Sequence, residues 1–329
     1  MDDIIETAEV ADTKLQTAEV SKPTIEEAHG KILRFGTKDL EDQEIKKKPE
    51  VPLLFTYKTE TGQVDMIGVA HTSDVKSPMM QKITQEVGNY LNRTPKEKAI
   101  VMVEGFHGGP IPEWTSFDEA VNSSQEAGAT AFMAREKGVE VISPEVPMED
   151  VVAKLKEQGV PADRIALFYS LRAMPNLVRQ GNLEALPRII YRAQALAQAG
   201  WIPEFTADEE QRLKSDPEEA KRKGSEILRT AIPKLNGAMR EINEQNVFNE
   251  ETQEVLFSEA DLHELTSPHS EKVETPLNQV ARVDNEMRDD YLLDKIHEAV
   301  QNGKDPMVVY GGTHTVKINP ALQHLYSTI

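Results

Sequence analysis

The sequence predicts an α/β fold: a mostly parallel central sheet flanked by helices, with a large helical insertion and a disordered acidic N-terminal tail. Three observations carry this. Short apolar runs rich in β-branched residues recur at 64–70, 99–103, 137–143 and 307–311. Stretches of helical period separate the first three, the order of βαβ units. Two of the runs break at glycine and close on the same phrase, Gly-x-x-His, at Gly68 to His71 and Gly311 to His314.

Taken in order, residues 1–29 hold eight acidic and two basic side chains and no aromatic residue, and repeat Thr-Ala-Glu-Val at 7–10 and 17–20. Such a segment buries too little apolar surface to offset its ordering entropy. With the charged stretch that follows, it predicts a tail over 1–48 and ordered structure from near Val51. Leu53–Lys58 and 64–70 flank TETGQ, which suits a hairpin turn. Met79, Met80, Ile83, Val87, Tyr90 and Leu91 then recur at helical spacing. AIVMV at 99–103 ends at Glu104, and the run at 137–143 leads to Pro144-Glu145.

Between these two runs Ser116/Glu119 and Ser123/Glu126 both have capping-box spacing, so two helix starts compete. From about 148 to 302 the text is almost wholly helical, with a charge-dense face at 204–225 and a last long helix from Leu277 to Val300 that Gly303 stops. Asn319-Pro320 reads as an N-cap and N1 pair opening a short terminal helix. The expected domain is a single one over 49–329.

Composition narrows the chemistry. The chain has 329 residues, 39% of them hydrophobic, enough for a sizeable core. A formal charge of −19 and a pI near 4.9 argue against nucleic acid or an anionic membrane as partner. With no cysteine there is no disulfide, thiolate metal site or cysteine nucleophile. The N-terminal text has neither the basic region nor the apolar stretch of a signal peptide, so the expected compartment is the cytoplasm. Dinucleotide, P-loop, His-Glu-x-x-His and Gly-x-Ser-x-Gly motifs are all missing.

The polar residues that remain stand just beyond the apolar runs: His71, Glu104, Glu145 and His314. Each alone is more often a solvated loop residue. Together they fall where open α/β sheets place their ligands. Glu126 reads either as the capping-box glutamate of Ser123 or as a carboxylate aimed at the two histidines. Arg288 reads either as a surface ion pair with Asp289 or Asp290, or as a group binding an anionic or carbonyl oxygen. His107 reads as a loop histidine; His263, His269 and His297 have no supporting pattern.

These residues resemble the superfamily that groups the TIKI and TraB proteins with erythromycin esterases and ChaN-like proteins. The likeness lies in three blocks: MIGVAHTSD; VMVEGF with SSQEAGATAFMAREKGVEVISPE; and MRDDYLLDKI with PMVVYGGTHTVKIN. The chain lacks the arginine that usually follows the glutamate in TraB proteins. The resemblance implies a site of His71, Glu104, Glu126 and His314, supported by Arg288, and a hydrolase of peptidase or esterase type acting on a small-molecule or peptide substrate. Two imidazoles and two carboxylates would serve Mn²⁺, Co²⁺ or Zn²⁺, with His71, Glu104, Glu126 and His314 as ligands. Without a metal, Glu126 or His71 would take the proton from water. The alternative is a non-catalytic protein that binds haem or another small ligand, as some ChaN-like proteins do.

Overall fold

The computed structural model describes residues 23–35, 51–106, 111–180, 216–252, 255–268 and 274–328, with scattered positions between 196 and 212. His107, His269, part of the charged stretch at 204–225, and tail residues 1–22 and 36–48 lie outside the described residues.

The predicted hairpin forms: β1 (Leu53–Lys58) pairs antiparallel with β2 (Gln63–Val69), from Leu53 opposite Gly68 to Lys58 opposite Gln63. Its turn requires Gly62, because a β-carbon there would fall 1.7 Å from Asp305 Oδ1. After α1 (Ile25–His29) and this hairpin come α2 (Pro78–Arg93), β3 (Ala99–Val103), α3 (Phe117–Glu136) and β4 (Glu140–Ile142). Among the described residues, α4 (Met148–Glu157), α5 (Ala162–Gln180), α6 (Pro217–Asn243), α7 (Glu259–Thr266) and α8 (Pro276–Gln301) follow. The chain then forms β5 (Asp305–Gly311), α9 (Gly312–Leu325) and β6 (Ser327–Thr328). Among the described residues no helix is long and apolar enough to cross a membrane.

The sheet order is β4-β3-β5-β2-β1-β6. β4, β3, β5 and β2 run parallel, and β1 and β6 are antiparallel at one edge. β5, the last long strand, thus enters between β2 and β3, and all seven of its residues are buried. Successive residues face opposite sides. Met66, Met102 and Val308 pack against Leu292 and Ile296 of α8 and Ile318 and Leu322 of α9. Ile67, Val101 and Val309 pack against Ile83, Val87 and Tyr90 of α2 and Ala131 of α3.

The helical insertion has a core of its own, in which Leu155, Phe168, Ile232, Met239 and Leu262 surround Leu277 and Val280 of α8. Helix α8 therefore serves two cores: its first half packs in the insertion and its second half on the sheet. Arg288 and Asp289 fall at the changeover. The helix ends at Asn302 and Gly303 (φ +73°), a left-handed cap that glycine adopts without penalty.

Two expectations are corrected. Residues 23–35 are ordered, ahead of Val51: Thr24 and Glu27 form a capping box for α1, and Ala28 and Ile32 are buried against the sheet core. Acidic composition predicts a tail, but two apolar side chains with a ready groove outweigh it locally. The terminal helix, in turn, opens at Gly312 directly after β5, with Pro320 in its interior. Asn319 is not its cap; its side chain accepts from the Tyr57 hydroxyl at 2.6 Å.

Gly68 is a strand residue, and close packing requires it rather than a turn. A β-carbon there would lie 3.0 Å from the Cβ, Cγ2 and Oγ1 of Thr315 on α9. Gly68→Ala is therefore expected to cost about 1–3 kcal/mol by overpacking, measured by urea unfolding. Gly68→Ala with Thr315→Ser should recover part of the loss.

Candidate active site

The strand order brings the four strand-end residues into one row: Glu145 after β4, Glu104 after β3, His314 after β5 and His71 after β2. The register sets Val69 opposite Gly311 and Val103 opposite Val309, so these ends are level. This is the carboxyl edge of the parallel strands, at the point where the chain order reverses. His314 stands in the first turn of α9 and not on a loop.

Of the two competing helix starts, the one at Ser116 is used and the one at Ser123 is not. Ser116 caps the first segment of α3, accepting from the Glu119 amide at 3.2 Å. The helix then breaks at Ser124 and Gln125, where Gln125 takes φ 52°, a costly conformation for a residue other than glycine. Gly128 permits the close return: a β-carbon there would meet the Ala120 carbonyl oxygen at 2.1 Å. A second helical segment begins at Glu126, and its carboxylate is spent on the site instead of a capping box. Oε1 accepts from His71 Nδ1, and Oε2 accepts from the Thr72 amide at 3.2 Å.

His314 is anchored in the same manner. Its Nδ1 donates to Asp289 Oδ1 at 2.5 Å, and its ring stands edge-on to Tyr310, centroids 6.0 Å apart. On the far side of Asp289 the ammonium of Lys317, fully buried, meets Oδ2. The site thus holds two histidine–carboxylate dyads, His71–Glu126 and His314–Asp289. In each, Nδ1 is engaged and Nε2 is the nitrogen left for chemistry.

Between the dyads lies a buried charge network centred on Arg288. Its Nη2 donates to Glu104 Oε1 at 2.7 Å and to Glu145 Oε1 at 2.9 Å, and its Nε to Glu145 Oε2 at 2.7 Å. Glu104 Oε2 accepts from the Gly311 amide at 2.6 Å, and Glu145 Oε1 from the Gly105 amide at 2.9 Å and the Tyr310 hydroxyl at 3.2 Å. Arg288 is therefore a buried bridge between two strand ends and not a surface ion pair. Behind it, one helical turn earlier on α8, buried Asp284 pairs with Arg172 and accepts from the Tyr169 hydroxyl at 2.6 Å, both on α5. The insertion reaches the site through this line of charges.

The electrostatics follow from these contacts. Burial pushes the Glu104 carboxyl up, but the charges of Arg288, His314 and His71 together outweigh it and hold Glu104 well below the usual carboxylate range. Burial opposes the charge on Arg288, and Glu145 and Glu104 more than restore it. Burial raises the Tyr310 hydroxyl, and Glu145 adds to the effect. The hydrogen bond to Glu126 raises His71 to about 9, against partial desolvation. The His71 side chain is 56% exposed while Glu126 is 4% exposed. Solvent therefore meets the site at His71.

Of the five predicted residues, Glu104, His314 and Arg288 meet in this network together with Glu145, and His71 and Glu126 form their dyad at the end of the adjacent strand β2. Asp289, Tyr310 and Lys317 were missed. Lys317 lies three residues after His314 in what proves to be one helix, and that spacing puts both on one face; the misplaced helix start hid it. As metal ligands the four residues fit poorly. Both Glu126 oxygens and both Glu104 oxygens already accept from protein donors, and Arg288 supplies the cation that Glu104 requires. Among the described residues no group of three or more His, Asp or Glu converges as a divalent cation needs.

A scan against protein-family models finds no match to this chain, and neither a curated protein nor a solved structure matches it.

Proposed function

We propose that this site hydrolyses an ester or amide by acid–base activation of water, with the two dyads in opposite roles. The observation that carries the reading is the pair of histidines, each fixed through Nδ1 to a buried carboxylate, at the ends of adjacent parallel strands. Acting as a base, with Nδ1–H donated to Asp289, His314 presents the lone pair of Nε2. That atom lies 3.9 Å from Glu104 Oε1, too far for a direct hydrogen bond and suited to one water donating to both. His314 is the base: the water oxygen bonds to the substrate carbonyl carbon, and its proton passes to Nε2.

His71 is the acid. It holds its proton to about 9, so near neutral pH it is an imidazolium at the exposed edge, able to steady the oxyanion and then protonate the leaving group. Glu126, with both oxygens engaged, orients His71 and does not itself touch water. Glu104 and Arg288 fix the water and balance the charge. After release, the proton on His314 and the vacancy on His71 are exchanged with solvent. The TIKI/TraB and erythromycin esterase resemblance points the same way.

The test is a panel of ester and peptide substrates with the purified protein, alongside metal and haem assays. His314→Ala and His71→Ala are each expected to lose about 10²–10⁴-fold in rate. The rate should fall as pH rises through about 9, where His71 gives up its proton. Turnover that survives both substitutions would end the proposal. A stoichiometric metal lost with either histidine would replace it by metal-assisted hydrolysis, and tight haem binding without turnover by a binding function.

A further inference from the structure

Residues 23–35 lie against α8 and α9, and beside the buried Ala28 and Ile32 they make specific polar contacts with both helices. His29 faces two carboxylates of α8 at once: Nδ1 is 3.1 Å from Asp290 Oδ1 and Nε2 is 2.7 Å from Asp294 Oδ1. Only the imidazolium, with a proton on each nitrogen, satisfies both; either neutral tautomer would turn a lone pair on a carboxylate. Arg34 joins at Asp290 Oδ1, 2.6 Å away, and reaches the Glu286 carbonyl at 3.4 Å. Toward α9, the Leu33 amide donates to the Lys317 carbonyl at 3.0 Å, and Glu27 lies 3.7 Å from His324. At the far end the Phe35 ring covers the Lys317 ammonium, 4.1 Å from its centroid.

That last contact is the consequential one. Lys317 is fully buried, and its ammonium has Asp289 on one side and the face of Phe35 on the other. A buried ammonium is costly unless its surroundings complete it, and an aromatic face supplies part of that completion. Asp289 in turn holds Nδ1 of His314. Asp290, the next residue of α8, is where His29 and Arg34 grip. The segment therefore fastens to the same turn of α8 that presents Arg288 and Asp289 inward.

We propose that residues 23–35 are a strap latched by the imidazolium of His29, and that Phe35 and Lys317 at its far end are positioning residues for the His314–Asp289 dyad. Deprotonation of His29 leaves one ring nitrogen opposed to a carboxylate and loosens the strap, which uncovers Lys317 and frees the dyad to shift. The sign agrees with the direction of its titration: partial burial opposes the charge, but the two aspartates more than compensate and raise His29 above its ordinary 6.5. Strap docking is thus fully favoured below that value and weakens as pH rises through the raised one. The groups facing His29 are Asp290 and Asp294 on α8; Arg34 shares Asp290, and His324 on α9 faces Glu27. The positioning half rests on His314 as a working group, whereas the latch stands without it.

The experiment is hydrogen exchange of the whole protein, as protection relative to unstructured peptide, with ring ¹⁵N spectra of the histidines, His314 being assigned by its loss in His314→Ala. At pH 6, His29→Gln is expected to lower protection of residues 25–35 about tenfold, the loss of a charge-assisted hydrogen bond. The wild type should fall to the level of His29→Gln as pH is raised, while the variant stays flat. Phe35→Ala should leave α1 protected and move the His314 ring signals. Equal protection of the strap in wild type and His29→Gln at pH 6 overturns the latch. His314 signals unmoved in Phe35→Ala overturn the positioning role. Neither readout depends on turnover, so a failed strap and a failed hydrolase are told apart.

Discussion

Replacing Arg288 with methionine is expected to destabilise the protein by about 3–5 kcal/mol, the cost of leaving buried charges without their partner. Glu145 and Glu104 both lean on this guanidinium, Glu145 through two of its nitrogens and Glu104 through one. Arg288→Lys should recover little, because an ammonium is a point charge and cannot span Nε and Nη2 as the planar fork does. By contrast, Arg288→Met with Glu104→Gln and Glu145→Gln should recover much of the loss, since it removes the charges together. Urea unfolding of the series measures this. A loss below about 1 kcal/mol in Arg288→Met, the size of a surface ion pair, would show that water screens the network.

Glu126→Gln is expected to bring the midpoint of His71 from about 9 down toward the ordinary 6.5. The substituted amide would keep a hydrogen-bonding oxygen but not the charge that favours the imidazolium. The folded value is raised, so the stability it contributes is fully present below about 6.5 and is lost as pH rises through about 9. Because His71 is more than half exposed, the energetic effect is smaller than the size of the shift suggests. Titration of the His71 ring signal checks the claim directly. A wild-type midpoint near 6.5 would remove both the strong dyad and the acid role assigned to His71. If the acid role is right, the alkaline limb of the pH–rate profile moves down in step with the ring signal.

Much of the site was legible because strand ends announce themselves locally. The ends of the apolar runs, two of them broken by glycine, located His71, Glu104, Glu145 and His314, and those four positions stand in one row. What the text did not give was which carboxylate each histidine would use. Asp289 read as a charge beside Arg288, yet the two neighbours on α8 point into the same buried region and serve different partners. Glu126 fitted a capping box as well as a site, and only the kink at Ser124 and Gln125 decided between them. The capping box at Thr24 and Glu27 was written in the sequence, but acidic composition over the first 29 residues masked it.

Legible in the sequence were the sheet strands that carry the site, most of the helices and the chemical types at the strand ends. Periodicity, glycine and capping act within a few residues, and the doubled Gly-x-x-His is a feature of that range. The tertiary structure decided the rest: β5 between β2 and β3, Arg288 between two glutamates, Thr315 against Gly68, and Phe35 over Lys317. Those pairings join residues far apart in the chain, and their energies come from burial and charge balance that exist only once the sheet is assembled. For the same reason one histidine ends half in water with its proton held to about 9, while the other, after the same four-letter phrase, ends buried against Asp289.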